Sequence, residues 1–305
     1  MPSRHATTVP PLYLGIDGGG SGLRAVLAAA DLTLYGQVEG PAVNPSAVGH
    51  ERAAALIQEA MRAALGDLSP QAVAAVGIGV AGAAASHSAQ WLIEVVHAVL
   101  PHAQVAPSAD YEIALVGALG QRLGLLVLAG TGALAYGVNA AGEGALAGGW
   151  GYLLGDEGSG YWLGLEGLRA VLRAADGRGA ETALTISLLP ALGLEGARAL
   201  IPWLYRSAML RTPQVASLAP LVLAAARLGD LCAAEIVARG AQELALAAHA
   251  VMRRLALSAP RIAFAGGLLS TPNPLSESLC RLLALDELPQ PLHPPRQPKQ
   301  SAGTA

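Results

Sequence analysis

Two stretches of this chain repeat the same order of predicted elements, and this repetition constrains the fold more than any other feature. In the first, turn residues and apolar spacing predict strands at 12–16, 23–28 and 32–38, a helix at 50–65, a strand at 74–80, a helix at 89–100, a strand ending near Ala106 and a helix from Asp110 to Leu123. The order restarts with strands at 125–129, 133–138 and 144–148 and closes with a strand at 262–265 and a helix near 275–285. Helices predicted at 158–175, 194–206, 214–228 and 230–257 lie between. The sequence therefore predicts an α/β protein with a duplicated topology and a helical insertion in the second copy.

Length and composition fit two ordinary domains. The chain has 305 residues, 53% of them hydrophobic, which is ample for buried cores. The repeat places the domains at 11–118 and 119–288. After Leu288 the sequence is rich in proline and glutamine, so we expect 289–305 to be a loose tail.

The scarcity of certain residues excludes several classes of protein. Lys299, in the tail, is the only lysine, so a Walker A loop, a protein-kinase site and a pyridoxal site all lack their lysine. Cys232 and Cys280 are too few for a four-thiolate metal site. The net charge of −3 and the absence of basic blocks argue against a nucleic-acid partner. No sustained run of large apolar residues and no secretory signal are seen, so we expect a cytoplasmic protein without membrane spans.

A glycine-rich turn follows the first predicted strand and carries a carboxylate. The turn consists of Asp17, Gly18, Gly19, Gly20 and Ser21. Glycines without Cβ let backbone N–H groups approach an anion, and the adjacent Asp17 could hold a metal ion through water. A tight hairpin with an incidental aspartate is the alternative interpretation.

A second glycine turn, Gly130-Thr131-Gly132, follows the strand at 125–129. With Ala135 it matches the dinucleotide-binding fingerprint, which requires a helix directly after the glycines. The residues that follow, up to the turn signal at Gly142, favour a strand and a hairpin instead. A Rossmann fold is therefore disfavoured.

A third segment combines glycines, an aromatic ring and carboxylates ahead of a helix. It includes Gly149, Trp150, Gly151, Asp156 and Ser159. Carboxylates accept sugar hydroxyls and an aromatic ring packs on the C–H face of a sugar, so the segment suits a polyhydroxylated substrate. Asp156 or Ser159 could instead be a helix N-cap.

Other candidate positions lie where predicted strands end. Asp110 opens a helix after the fifth strand, at the edge where open α/β sheets bind ligands, although it too could be an N-cap. Asn44, between two prolines, and Gly266-Gly267, after the last strand, give weaker signals that are also typical of turns.

Together and in this order, these motifs resemble the BadF/BadG/BcrA/BcrD ATPase family, and within it the N-acetylglucosamine kinases. The resemblance covers about residues 12–270, and the segment from Gly149 to Ser159 is its most specific part. It implies the fold of actin, Hsp70 and the sugar kinases, which has two ribonuclease-H-like domains with a ligand cleft between them.

The resemblance also implies a role for each matched position. Asp110 would be the general base, and Asp17 would hold Mg²⁺ through water. The ATP-binding residues would be Asp17, Gly18, Gly19, Gly20, Ser21, Thr131, Gly132, Gly266 and Gly267. The sugar-binding residues would be Asn44, Gly149, Trp150, Gly151 and Asp156. The expected ligands are ATP, Mg²⁺ and a small amino sugar, and a homodimer is compatible with the resemblance.

Three departures from the family pattern bear on function. Ala133-Leu134 stands where the mammalian sugar kinases have polar residues, which leaves the choice of sugar open. Against the family pattern, we expect the segment after Leu292 to lack the closing strand and helix that relatives usually add. Neither cysteine lies in a glycine-rich loop that could hold an iron–sulfur cluster. We expect a kinase that phosphorylates O6 of N-acetylglucosamine or a close relative. A partner-activating ATPase and a non-catalytic sugar sensor are the alternatives.

Overall fold

The computed structural model describes residues 10–19, 22–82, 89–205 and 212–289. They divide into two compact units, the first ending at Ala114 and the second beginning at Leu115. Each unit has its own sheet and its own cluster of buried apolar side chains. No helix in these ranges is long and apolar enough to cross a membrane.

The first unit is built on a five-stranded sheet in the order β3-β2-β1-β4-β5. Its strands are β1 Leu12–Gly18, β2 Leu23–Ala29, β3 Leu34–Gly40, β4 Val73–Val80 and β5 Gln104–Ser108. The first three strands are antiparallel, while β4 runs parallel to β1 and β5 runs parallel to β4. In β1 the buried residues Leu12, Leu14 and Ile16 alternate with exposed ones, so one face of this strand packs on the core.

The helices of the first unit follow β3 and the parallel strands. They are α1 Pro45–Val48, α2 His50–Leu65, α3 Ala89–His97 and the first half of α4 Asp110–Leu119, and a 3₁₀ turn spans Pro70–Ala72. In α2, Ile57 and Met61 are fully buried on the face that packs against the sheet. Burying such a side chain contributes about 1.5–3 kcal/mol, so the amphipathic pattern that predicted this helix also anchors it.

The second unit repeats the first four strands of this topology. Its sheet has the order β8-β7-β6-β9, with strands β6 Gly124–Ala129, β7 Ala133–Val138, β8 Gly144–Gly148 and β9 Ile262–Ala265. Strands β6 to β8 are antiparallel and β9 is parallel to β6. The duplicated topology predicted from the sequence is therefore confirmed, and β7 after the glycine turn excludes the Rossmann alternative.

The helical insertion lies between β8 and β9. It contains α5 Gly160–Ala175, α6 Leu184–Ala191, α7 Leu200–Tyr205, α8 Thr212–Ala216, α9 Ala219–Arg227 and α10 Leu231–Arg254, with a 3₁₀ turn at Ala197–Ala199, and α11 Pro274–Leu282 follows β9. The predicted helix at 214–228 is two helices, because Pro220 lacks the N–H needed to continue a helix and instead starts α9.

Several other boundaries differ from prediction. The third strand begins at Leu34 rather than residue 32, because Leu32 has a left-handed backbone in the turn before it. The helix expected from Asp110 to Leu123 ends at Leu119, where Gly120 adopts a positive φ of 70°. Helix α6 was not predicted, because apolar residues occur on all its sides and show no helical period.

Candidate functional site

In the first unit, Asp17 and Asp110 lie at the carboxyl ends of neighbouring strands. Asp17 of β1 is paired with Gly79 of β4, which is in turn paired with Ser108 of β5, two residues before Asp110. A Cβ on Gly79 would lie 2.8 Å from the Ala109 carbonyl oxygen, so only glycine lets α4 begin this close to β4. The strand order therefore brings the two predicted carboxylates to one edge of the sheet.

The two carboxylates interact electrostatically. Burial raises the pKa of Asp110, and the negative charge of Asp17 raises it further, while N–H groups at the start of α4 partly oppose both effects. The side chain of Asp17 keeps contact with solvent, yet desolvation by the surrounding protein raises its pKa, and Arg24 partly opposes this. A carboxylate with a raised pKa is a better proton acceptor, which suits Asp110 to general-base chemistry.

The turn after β1 is held by backbone hydrogen bonds. The Ala81 N–H donates to the Gly18 carbonyl at 2.7 Å, and the Val43 N–H donates to the Gly19 carbonyl at 3.2 Å. These bonds join the turn to the segments after β4 and β3. The other two predicted residues of this turn, at 20–21, lie outside the described residues.

Asn44 lies beside this turn. Its side chain caps α1 by accepting the Ser46 N–H at 2.9 Å. A Cβ built on Gly82, just beyond β4, would lie only 2.5 Å from Asn44 Oδ1, so the amide packs on the Gly82 backbone. Sequence reasoning missed Gly82, although its position directly after a strand was an available signal.

In the second unit, the turn at 130–132 rests on the start of α5. The Gly160 N–H donates to the Gly130 carbonyl at 2.7 Å, and the Tyr161 N–H donates to the Thr131 carbonyl at 3.4 Å. A trans peptide directs its N–H opposite to its C=O, so the N–H groups of Thr131 and Gly132 point away from the helix. Backbone N–H groups on successive residues of a turn are the donors that anion-binding turns use.

The turn after β9 packs on the same turn. Gly266 has a φ of 84°, and a Cβ there would lie 2.2 Å from the Ala129 carbonyl oxygen and 3.0 Å from the Gly130 nitrogen. The Leu268 N–H also donates to the Ala129 carbonyl at 3.2 Å. The structure thus brings Gly266 and the neighbouring Gly267 next to Thr131 and Gly132.

The segment after β8 forms a compact glycine-rich loop. The Gly149 N–H donates to the Ala133 carbonyl at 2.9 Å, and the Gly155 N–H donates to the Gly151 carbonyl at 2.9 Å. Trp150 on this loop is 75% exposed, so its ring is open to a ligand. The loop therefore presents an accessible aromatic ring, and its first glycine is bonded to Ala133, which directly follows the turn at 130–132.

Asp156 is buried at the end of this loop, with 8% of its surface exposed. Its Oδ1 accepts the Gly151 N–H at 3.3 Å. Burial raises its pKa, hydrogen bonds from the N–H groups of Gly151 and Ala133 oppose this, and the charge of Glu157 adds to the rise. The N-cap of α5 is Ser159, which accepts the Trp162 N–H at 3.1 Å, so Asp156 is not the cap.

A close approach between α10 and this loop escaped the sequence reasoning. Gly158, with a φ of 81°, would place a Cβ 2.7 Å from the Gly240 carbonyl oxygen. A glycine in the middle of a helix costs about 1 kcal/mol relative to alanine. The presence of Gly240 inside a predicted helix was therefore a sign of a close contact that the sequence analysis did not use.

The predicted residues thus form two groups. One is in the first unit and contains Asp17, Gly18, Gly19, Asn44 and Asp110. The other is in the second unit and contains Thr131, Gly132, Gly149, Trp150, Gly151, Asp156, Gly266 and Gly267. A cavity of about 440 Å³ coincides with neither group, because it lies where β6 begins and is lined by residues such as Leu123, Leu255 and Arg261.

Two α/β units that share the order of four strands, each with glycine turns after its strands and carboxylates near these turns, define the class of ATPases built from ribonuclease-H-like domains. This chain belongs to the BadF/BadG/BcrA/BcrD ATPase family, whose model matches residues 14–283. The family assignment and the fold class predicted from the sequence are both confirmed.

Two curated relatives and one solved structure extend the comparison over nearly the whole chain. An N-acetylmuramic acid/N-acetylglucosamine kinase of Clostridium acetobutylicum is 33% identical over 278 residues, which cover 90% of each chain. An N-acetyl-D-glucosamine kinase of Dictyostelium discoideum is 29% identical over 293 residues, covering 88% of this chain and 89% of its own. The structure of a candidate N-acetylglucosamine kinase from Chromobacterium violaceum has a TM-score of 0.70 at 30% identity, covering 90% of this chain and 91% of its own.

Proposed function

We propose that this protein is an ATP-dependent kinase that phosphorylates the 6-hydroxyl of N-acetylglucosamine or of a closely related amino sugar. The observation that carries the proposal is the pair of interacting carboxylates, Asp17 and Asp110, at one edge of the sheet. The relatives that match nearly the whole chain are amino-sugar kinases by name. Phosphoryl transfer asks a protein mainly for positioning and for stabilisation of charge, and the described groups suit both tasks.

Asp110 is the general base in this proposal. It accepts the proton of the 6-hydroxyl as that oxygen forms a bond to the γ-phosphorus, and the bond from this phosphorus to the bridging oxygen breaks to release ADP. Its raised pKa supports the assignment, because proton transfer is most efficient when the pKa of the base approaches the working pH. Asn44, held at the same edge, orients the sugar.

Asp17 suits a site for Mg²⁺. Carboxylate oxygens are hard ligands, and an Mg²⁺ ion usually keeps several waters while binding one or two carboxylates and the substrate phosphates. The exposed side chain of Asp17 leaves room for such waters, and no group of three or more metal-binding side chains occurs in the part of the chain that the structure describes. Bound Mg²⁺ supplies neutralisation of phosphate charge, and the backbone of the turn at 18–21 binds the phosphate oxygens.

The second unit binds both substrates in this proposal. The outward N–H groups of Thr131 and Gly132 bind phosphate oxygens, and the turn at Gly266-Gly267 lies near the adenosine. The loop at 149–151 and the carboxylate of Asp156 bind the sugar. The exposed ring of Trp150 covers the C–H face of the sugar.

A coupled ADP-release assay tests the proposal. N-acetylglucosamine, glucosamine, N-acetylmuramic acid and glucose are compared at equal concentrations with ATP and Mg²⁺, and ³¹P–¹H correlation NMR identifies the phosphorylated hydroxyl. We expect ADP release that depends on an N-acetylated sugar, with phosphate on O6. ATP hydrolysis that no sugar stimulates would favour a partner-activating ATPase, and sugar binding without ADP release would favour a sensor.

The proposal also includes where the protein acts and how it assembles. We place the activity in the cytoplasm, and a homodimer stays a prediction that light scattering coupled to size exclusion tests.

A further inference from the structure

The carboxylate of Asp156 contacts two segments to which the proposed function gives different ligands. On one side it accepts the N–H of Gly151, in the proposed sugar loop, at 3.3 Å. On the other side it lies against Gly132, in the proposed phosphate turn, and the N–H of Ala133, the first residue of β7, lowers its pKa. A Cβ built on Gly132 would lie 2.9 Å from Asp156 Oδ2 and 3.4 Å from its Cγ. A side chain at position 132 would therefore push against this carboxylate.

The backbone fixes Asp156 in this position. Its φ of 58° lies in the left-handed region, which few non-glycine residues adopt and in which aspartate is one of those found most often. The Ser159 N–H donates to the Asp156 carbonyl at 3.0 Å, and Ser159 is the buried cap of α5. The same helix holds the turn at 130–132 through the N–H of Gly160. A shift of the carboxylate is therefore transmitted directly to the turn.

We infer that Asp156 is a positioning residue for the nucleotide as well as a sugar-binding residue, and that Gly132 controls sugar affinity although it belongs to the phosphate turn. This inference rests on the proposed function for the identity of the two ligands. Coupling between two binding sites is reciprocal. If the bound nucleotide changes the affinity for sugar by some factor, bound sugar must change the affinity for nucleotide by the same factor.

The first test compares two glycines of the same turn. Gly132→Ala places a methyl group against the Asp156 carboxylate, whereas Gly130→Ala places one where no atom lies within 4 Å. Neither glycine has a positive φ, so alanine fits the backbone at both positions. Calorimetric titration with N-acetylglucosamine, without nucleotide, measures the dissociation constant of the sugar.

We expect Gly132→Ala to raise this constant by about tenfold or more, within the usual range of coupling energies, and Gly130→Ala to change it by less than about twofold. Equal effects of the two variants, or unchanged sugar affinity in Gly132→Ala, would overturn the inference.

The second test measures nucleotide affinity and needs no sugar. Asp156→Ala is compared with Glu157→Ala, which removes the exposed neighbouring carboxylate, by titration with the ATP analogue AMPPNP and Mg²⁺. We expect the dissociation constant of AMPPNP to rise about fivefold or more in Asp156→Ala only. Equal AMPPNP affinities in the two variants would refute the role of Asp156. If Asp156→Ala does not fold, Asp156→Asn, which keeps the side-chain volume, replaces it with the same expected result.

The two proposals fail in different ways. A wild-type protein that binds AMPPNP but no amino sugar contradicts the proposed function, and the comparison of Asp156→Ala with Glu157→Ala still decides whether Asp156 positions the nucleotide. A wild-type protein that binds sugar and AMPPNP with no loss in Gly132→Ala or Asp156→Ala leaves the proposed function standing and overturns the coupling.

Discussion

Replacing Asp110 by asparagine tests the proposed chemistry most directly. The amide keeps the size of the side chain and still accepts an N–H at the start of α4, but it does not accept a proton from the sugar hydroxyl. Loss of a general base typically lowers kcat by about 10²–10⁴-fold, which corresponds to about 3–5 kcal/mol of transition-state stabilisation. We expect kcat of Asp110→Asn to fall within this range, as measured by ADP release at saturating ATP and N-acetylglucosamine.

The matched control is Glu112→Gln, on the same turn of α4. Glu112 accepts a hydrogen bond from the Ser108 hydroxyl at 2.8 Å and has no part in the proposed reaction. Its amide variant should keep kcat within about threefold, and both variants should bind AMPPNP and sugar with nearly wild-type affinity. If Asp110→Asn kept near-wild-type kcat, Asp110 would be a helix cap, a role that the amide fills equally well, and the reasoning would be wrong.

The pH dependence adds a second criterion. Burial and the charge of Asp17 raise the pKa of Asp110 above its ordinary value of 3.8. The base is active when it is deprotonated, so kcat/KM should rise with pH through this raised pKa and level off above it. Asp110→Asn should lack this acidic limb. A limb that persists unchanged in the variant would assign it to another group.

The remaining predictions concern electrostatics and packing elsewhere. Asp17→Asn removes a negative charge near Asp110, so the acidic limb of kcat/KM should move to lower pH, and a limb that stays in place would contradict the pairing. Asp230→Ala removes the cap of α10 and should cost about 0.5–2 kcal/mol in urea unfolding. Burial raises the pKa of Asp230, but hydrogen bonds outweigh it and hold the pKa low, so this contribution should persist at neutral pH and disappear only below about pH 4. Gly117→Ala in α4 meets no atom within 4 Å and should add about 0.5–1 kcal/mol of stability. Gly36→Ala would place a Cβ 2.0 Å from a carbonyl oxygen of α2 and should destabilise the protein by about 1–3 kcal/mol. Thermal unfolding in which both variants changed stability in the same direction would refute this packing argument.

The sequence predicted elements wherever local periodicity and turn chemistry agreed. Helix α2 was predicted at 50–65 and is found there, because its apolar positions recur at helical spacing and Gly66 follows its last residue. In α6 apolar residues occur on all sides, so no periodicity marked it. Pro220 was visible in the sequence, and because proline has no backbone N–H it divides the predicted helix at 214–228 into two.

Motifs located candidate residues of the site, but contacts between distant segments required the structure. The glycine turn at 130–132 and the segment containing Asp156 were each recognised from their own residues. Their contact depends on how β7 and α5 pack, which no local pattern encodes. The choice between Asp156 and Ser159 as the cap of α5 was likewise decided only by where the helix begins.

The direction of the pKa shift separates two kinds of aspartate in this protein. A side-chain hydrogen bond and an ion pair lower the pKa of Asp176 against desolvation. Desolvation raises the pKa of the cap Asp230, but its hydrogen bonds outweigh this effect and hold the pKa low. Desolvation raises the pKa of Asp17, Asp110 and Asp156, the three aspartates that the sequence motifs selected. A raised pKa means that the charged form of a carboxylate costs folding free energy at neutral pH. Such groups cluster at sites where a ligand supplies the missing partners, which in the proposed reaction are the hydrated Mg²⁺ ion and the sugar hydroxyls. The three carboxylates that the sequence motifs selected are thus ones whose pKa burial raises.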